Sequence, residues 1–174
     1  MDALLAEVVR RSDELIAANL HNLQRPAQPG PGLCDEVFER VYALGFRLLC
    51  GNQHEQALSV FAFLFAQRPA EPRVLSGFGH CLLGLGDAAQ AAVMHSLAYG
   101  AEPDNPGHVL AMAEDLIAMN APIAVDLLRA ADVLAAADSR YSAVAERARA
   151  LRALLQQGNE APRSEGEGSN AVRR

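Results

Sequence analysis

The sequence contains no lysine: its 15 basic residues are all arginines, and 21 acidic residues outnumber them, so the formal net charge is −6. A phosphate-binding P-loop needs a lysine after its glycines, and proteins that bind nucleic acid carry clustered positive charge. The missing lysine therefore excludes a P-loop, and the acidic balance argues against a nucleic-acid partner.

Metal-binding and catalytic patterns are also missing. The three cysteines, Cys34, Cys50 and Cys81, contain no C-x-x-C spacing and indicate neither a zinc ribbon nor a disulfide framework. No histidine pair has the i, i+4 spacing of a helical metal site, and no residue stands in a nucleophile motif. We expect no catalytic residues, no metal and no cofactor, and hence a protein that is not an enzyme.

No run of about 18 uncharged apolar residues is present, so the sequence predicts no membrane span. The stretch 1–20 carries six charges within its apolar pattern and therefore does not resemble a signal peptide. We expect a cytoplasmic protein without stable membrane insertion. Its 174 residues, 51% of them apolar, suit one compact domain.

A repeat of 34 residues organises the centre of the chain. It appears as pairs of identical residues one period apart: Gly45 and Gly79, Ala57 and Ala91, Pro69 and Pro103. A third copy begins at Pro106, with Ala113 and Val125 at the glycine and alanine positions. This period and this pattern of small residues are typical of tetratricopeptide repeats, each of which is a pair of antiparallel helices.

The repeat also explains the glycines of residues 77–92, because two helices approach closely only where a side chain is small. We expect Gly79 to contact Ala91, and Gly86 to form the turn between their helices. His95 stands where the first repeat has Phe61, which predicts a partly buried ring between helices; Arg129 occupies the same position in the third repeat. Capping is predicted for three helices, by the residue pairs Asn52 and Glu55, Asp87 and Gln90, and Asn105 and Pro106.

The predicted fold is all-α. Three tandem helix pairs form a short right-handed solenoid, preceded by an N-terminal amphipathic helix (1–20) and a flexible connector (21–35). The repeat domain with its C-terminal capping helix covers 36–157, and a disordered tail follows (158–174). The predicted helices of the repeat domain are 36–51, 54–67, 72–85, 88–100, 106–119, 122–136 and 139–157.

The leading helices of the three pairs carry matching stripes of side chains. In the first, Val41, Leu44, Gly45 and Leu48 suffice for packing on the partner helix, which leaves a second apolar stripe. That stripe and its equivalents in the later repeats are Tyr42, Phe46 and Leu49; Ser76, His80 and Leu83; and Leu110, Glu114 and Ile117, with Arg73 beside them. Such stripes line the concave surface of stacked repeats, so they predict a groove for an extended peptide with spaced apolar side chains.

Two surfaces leave alternatives open. The alternative to the groove is that Tyr42 and Phe46 contact the N-terminal segment or a second copy of the chain. Phe63 points away from its neighbours Phe61 and Phe65, and we expect it to pack in the core against a neighbouring element, with a second partner surface as the alternative. The N-terminal helix must bury its apolar residues, which are Leu4, Leu5, Val8, Val9, Leu15 and Ile16. We expect a homodimer through this helix, with packing on the chain's own repeats as the alternative.

The sequence resembles the class II chaperones of bacterial type III secretion, which serve hydrophobic translocator proteins. The resemblance covers about residues 35–155 and depends on the segments VYALGFRLLCGNQHEQALSVF, RVLSGFGHCLLGLGDAAQAA and HSLAYGAEPDNP, in that order. It implies a concave groove that takes an extended segment of the translocator, dimers that involve the N-terminal region, and a groove role for Tyr42 and Phe46.

Two classes of function follow from these observations. The favoured one is a cytoplasmic, non-catalytic chaperone that masks apolar segments of hydrophobic translocator proteins before export. The alternative is a general tetratricopeptide scaffold or adaptor, for instance one that holds a peptide's C-terminal carboxylate, for which Arg73 is the plainest basic candidate. An intracellular regulator with a transcription-factor partner would use the same groove as the chaperone.

Overall fold

The computed structural model describes residues 33–160, and the burial of side chains up to residue 157. Its seven α-helices are α1 (Asp35–Cys50), α2 (His54–Gln67), α3 (Pro72–Gly84), α4 (Ala88–Ala101), α5 (Pro106–Ala118), α6 (Ala124–Ala135) and α7 (Ser142–Glu160), with a 3-10 turn (Ser139–Tyr141) before α7. The predicted N-terminal helix, most of the connector and nearly all of the predicted tail lie outside the described residues. The C-terminal helix continues to Glu160, three residues beyond its predicted end.

The helices form three consecutive pairs, as the repeat predicts. Each helix packs on the next along the chain, and each leading helix also contacts the leading helix of the following pair: α1 with α3, and α3 with α5. Helix α7 packs on α6 and contacts α5, so it covers the end of the last pair. The all-α repeat fold with a C-terminal capping helix is therefore confirmed, and the residues described contain no strand.

Four glycines in α3 and its following turn have separate roles. A Cβ on Gly77 would lie 2.3 Å from the ring of Phe61, and a Cβ on Gly84 would lie 2.4 Å from the ring of His54. Gly79 meets His95 in the same way, while Gly86 adopts a φ of 87° in the turn before α4. The three glycines within α3 thus allow rings of α2 and α4 to lie against its backbone.

The turn within each pair contains a residue with left-handed backbone, always at the same position of the 34-residue repeat. Asn52 (φ 59°) and Asn120 (φ 55°) match Gly86 in this respect, as asparagine tolerates this conformation better than other side chains do. The predicted capping box of Asn52 and Glu55 is therefore wrong. Asn52 is part of the turn, its Oδ1 lies 2.7 Å from His54 Nε2, and Gln53, which precedes α2, makes no side-chain cap.

The other two caps are confirmed. Asp87 Oδ1 accepts the backbone N–H of Gln90 at 3.1 Å. Asn105 Oδ1 accepts the N–H of Gly107 at 3.0 Å, with Pro106 as the first residue of α5. These side chains satisfy N–H groups that have no partner within the first turn of a helix.

The third pair is shifted by one residue relative to the 34-residue alignment. Ala124, Leu128 and Ala131 are buried in α6, where the alignment predicts Val125 and Arg129 instead. Arg129 is exposed and pairs with Asp126 at 3.5 Å. Helix α6 begins after a turn that contains Pro122, rather than at the proline. Compared with the first two pairs, one residue fewer lies between the left-handed turn residue and the buried alanine at the repeat position.

Candidate peptide-binding groove

The aromatic end of the predicted groove lies on α1. Phe46 is 53% exposed, and its ring stacks on that of Tyr42 with centroids 6.5 Å apart. Tyr42 is half-buried and packs edge-on against Phe61, at 5.9 Å, and this burial raises the pKa of its hydroxyl. Leu49 is also partly buried and packs on the same core cluster. Phe46 is therefore the accessible member of this stripe, and Tyr42 supports it from below.

Arg73 is held at the same end by several neighbours. Its guanidinium carbon lies 4.9 Å from the centroid of the Tyr42 ring. Two guanidinium nitrogens bind the Glu39 carboxylate, at 2.8 and 3.2 Å, and the third binds Glu71 at 2.8 Å. The hydrogen bonds from Arg73 lower the pKa of Glu39. Because two carboxylates balance its charge, Arg73 is poorly suited to hold the C-terminal carboxylate of a peptide.

The residues predicted for the middle of the groove, Ser76, His80 and Leu83 on α3, are all partly exposed. The His80 ring meets the His95 ring edge-on, with centroids 4.6 Å apart. His95 is fully buried rather than partly buried as its repeat position predicts, and its Nδ1 lies 2.7 Å from Asp115 Oδ2. The sequence shows no sign of this pair, because its two residues lie on different helices of different repeats.

The far end of the predicted groove is less open than the stripes suggest. Leu110 is only 7% exposed and belongs to the core of the third pair, so little of its side chain is accessible to a bound segment. Ile117 packs partly on the same core. Glu114 accepts a hydrogen bond from Arg147 Nε of α7, at 2.6 Å. Arg147, a residue that sequence reasoning missed, therefore lies beside the last stripe.

Other apolar side chains differ from their predicted places. Phe63 on α2 is 47% exposed and not part of the core, and Leu44 on α1 is 41% exposed instead of packing on the partner helix. Phe38, which no pattern singled out, is fully buried and has the Arg68 guanidinium 4.0 Å above its ring. The exposed leucine lies on α1, which has no preceding helix among the described residues.

The described part of the chain offers no group of three or more histidine, cysteine, aspartate or glutamate side chains arranged to hold a metal ion. Its three cysteines are free thiols, and burial raises the pKa of Cys81 to about 11. Among helices α1 to α7, none has both the length and the apolar character required to span a membrane. The predicted dimerisation residues, from Leu4 to Ile16, lie outside the described residues.

Solved structures of secretion chaperones are similar to this chain. PcrH of Pseudomonas aeruginosa, in complex with the chaperone-binding region of PopB, is 28% identical over 68% of this chain and 97% of PcrH, with a TM-score of 0.64. PcrH in complex with the chaperone-binding region of PopD is 26% identical over 74% of this chain and 98% of PcrH, with a TM-score of 0.68. The translocator chaperone SycD of Yersinia enterocolitica shares the fold. It is 21% identical over 74% of this chain and 89% of SycD, with a TM-score of 0.66.

No protein-family model matches the chain, and no curated protein sequence matches it either. The similarity to PcrH nevertheless covers nearly the whole of that chaperone. Sequence and structure together confirm the resemblance of this chain to the class II translocator chaperones of type III secretion.

Proposed function

We propose that this protein is a cytoplasmic chaperone without enzymatic activity, which binds and masks apolar segments of type III secretion translocator proteins before export. The observation that carries the proposal is the exposed Phe46 ring, stacked on Tyr42 at the open face of the leading helices. The structures of PcrH with the chaperone-binding regions of PopB and PopD support the choice of partner.

The proposed groove extends from the aromatic end on α1, past the middle of α3, to the polar end on α5. Its lining residues are Tyr42, Phe46, Leu49, Arg73, Ser76, His80, Leu83, Glu114 and Ile117. An extended segment would place spaced aliphatic side chains against the aromatic end, and each fully buried aliphatic contributes about 1.5 to 3 kcal/mol before ordering costs. Binding of this kind requires no nucleotide.

The N-terminal residues predicted to form a dimer belong to the same proposal. An amphipathic helix carrying Leu4, Val8 and Ile16 must bury its apolar face, and a second copy of the chain offers one such surface. We therefore propose a homodimer. A sedimentation experiment over a hundredfold range of concentration tests it, and a constant monomer mass would exclude the dimer without affecting the groove.

The general adaptor function is less favoured by the groove. An adaptor that holds a peptide's C-terminal carboxylate needs uncompensated positive charge. Arg73 is already bound to Glu39 and Glu71, and Arg147 is bound to Glu114. A segment internal to a longer chain, which has no terminal carboxylate, suits these paired charges better.

Co-expression tests the proposed function. The reading frames that neighbour this gene are screened for a protein with long apolar segments, and that protein is produced with and without the chaperone. We expect the partner to be soluble, and to co-purify, only when the chaperone is present. A partner that stays soluble alone, or that precipitates despite abundant folded chaperone, would contradict the proposal.

A further inference from the structure

The His80 ring, in the middle of the groove, is oriented by a hydrogen bond on its inner side. Its Nδ1 lies 2.7 Å from the backbone carbonyl oxygen of Ser76. A carbonyl oxygen can only accept a hydrogen bond, so Nδ1 must carry the proton. In a neutral imidazole the other nitrogen, Nε2, is then an acceptor.

His95 and Asp115 continue this arrangement into the core. His95 Nδ1 donates to Asp115 Oδ2 at 2.7 Å, and His95 Nε2 lies 3.1 Å from His80 Nδ1 and 3.2 Å from the same Ser76 carbonyl oxygen. The two rings therefore meet at the Ser76 carbonyl oxygen, and Asp115 holds the inner ring from the opposite side. Both inner residues are fully buried, so the acceptor on the outer ring, His80 Nε2, is the one that a ligand can reach.

The surroundings of His80 keep its ring neutral. Burial lowers its pKa, and the neighbouring His95 acts in the same direction. Of the charged and titratable groups on the packed helices, Glu114 of α5 opposes this effect and His108 of α5 reinforces it, while Glu114 is itself bound by Arg147 of α7. Its ring is partly exposed, and Nε2 makes no hydrogen bond to any residue that the structure describes.

We propose that His80 Nε2 is a hydrogen-bond acceptor in the groove for a backbone N–H of the bound segment, and that the Ser76 carbonyl oxygen holds this tautomer by accepting from Nδ1. The inference deepens the proposed function and rests on it. An extended segment buries backbone N–H groups, and an N–H without an acceptor is costly. The carboxylates at the two ends of the groove, Glu39 and Glu114, are already engaged by arginines.

The tautomer is measured first, without any ligand, from the imidazole ¹⁵N chemical shifts of the full-length protein at pH 7.5. We expect His80 to carry its proton on Nδ1 only. A proton on Nε2 would overturn the proposal, whatever the protein binds.

Binding is measured next, with a synthetic peptide of the PopB chaperone-binding region as the probe. We expect His80→Phe to weaken binding about three- to tenfold, the range of one hydrogen bond. His80→Gln, which keeps an acceptor, should bind like the wild type, as should the control His54→Phe. Wild-type affinity should fall as the pH is lowered from 6.5 through the depressed pKa of His80, where Nε2 takes up a proton, whereas His80→Gln should show no such fall.

Peptides methylated on one backbone nitrogen at a time identify the donor. One methylation should weaken wild-type binding by the factor seen for His80→Phe and have no effect on that variant. If every methylation acts equally on both proteins, or if His80→Phe binds like the wild type, the acceptor role is wrong while the proposed function stands. Failure of the wild type to bind contradicts the proposed function, and the tautomer measurement still decides the geometry.

Discussion

The ring of His95 lies so close to Gly79 that a Cβ at position 79 would be 2.5 Å from His95 Nε2. The ring cannot retreat easily, because its other nitrogen is bound to the buried Asp115. The contact involves α3, α4 and α5, so the packing of two helix pairs requires a residue without a side chain at position 79.

Substitution of Gly79 should therefore destabilise the fold. We expect Gly79→Ala to lower the free energy of unfolding by about 1 to 3 kcal/mol, the usual cost of overpacking, as measured by urea denaturation. Gly100 is the control: it lies within α4 with no atom near its missing Cβ. Gly100→Ala should raise stability by about 0.5 to 1 kcal/mol through helix propensity. Equal effects at the two positions would refute the close contact.

The two most exposed phenylalanines form a matched pair for testing the groove. Phe46 is 53% exposed on α1 and Phe63 is 47% exposed on α2, so alanine at either position should change the melting temperature little. Phe46→Ala should weaken partner binding about tenfold or more, because it removes an apolar contact of the bound segment. Calorimetry with the co-purified partner provides the measurement. A loss with Phe63→Ala alone would place the binding surface on the second helices.

The register of α6 makes a prediction about neighbouring residues. Leu128 is fully buried, so Leu128→Ala should cost about 2 to 5 kcal/mol of stability. Arg129→Ala should change stability by no more than about 0.5 kcal/mol, because that side chain is exposed. Chemical denaturation of both variants decides between this register and the 34-residue alignment, which predicts the larger effect at position 129.

Stability should depend on pH through His80. Burial lowers its pKa from the ordinary value of 6.5, so below pH 6.5 the unfolded chain takes up a proton that the folded chain does not. This contribution to stability is present above pH 6.5 and is lost as the pH falls towards the folded pKa, at up to about 1.4 kcal/mol per pH unit. The stability difference between wild type and His80→Phe in urea denaturation should shrink between pH 7.5 and 5.5. A constant difference would show that the pKa of His80 is the same in the folded and unfolded chains.

The repeat predicted the helix pairs because it reflects local requirements. The features of the repeat depend on neighbours within about one turn of helix. They include a turn residue such as Gly86 (φ 87°), a cap such as Asp87 and small residues at fixed intervals. These features placed α1 to α5 within one residue of their predicted ends. They also explain why the resemblance to secretion chaperones is already evident in the order and spacing of the residues.

The predicted register of α6 was wrong because a fixed repeat period does not reveal a one-residue change in the length of a turn. Sequence position 129 fits the repeat, yet the helix rotates so that Leu128 enters the core and Arg129 faces solvent. The free energy of burying a leucine rather than an arginine decides this rotation, and it acts only once α6 packs against α5 and α7.

By itself, then, the sequence determined the helices, their pairing and the aromatic stripe of Tyr42 and Phe46, since these depend on spacing along one chain. Only the tertiary structure decided the polar contacts between helices. The contacts from His80 through His95 to Asp115, and from Arg147 to Glu114, join residues on different helices. Hydrogen bonds of this kind depend on how helices stack, and the spacing of residues along one helix does not encode that.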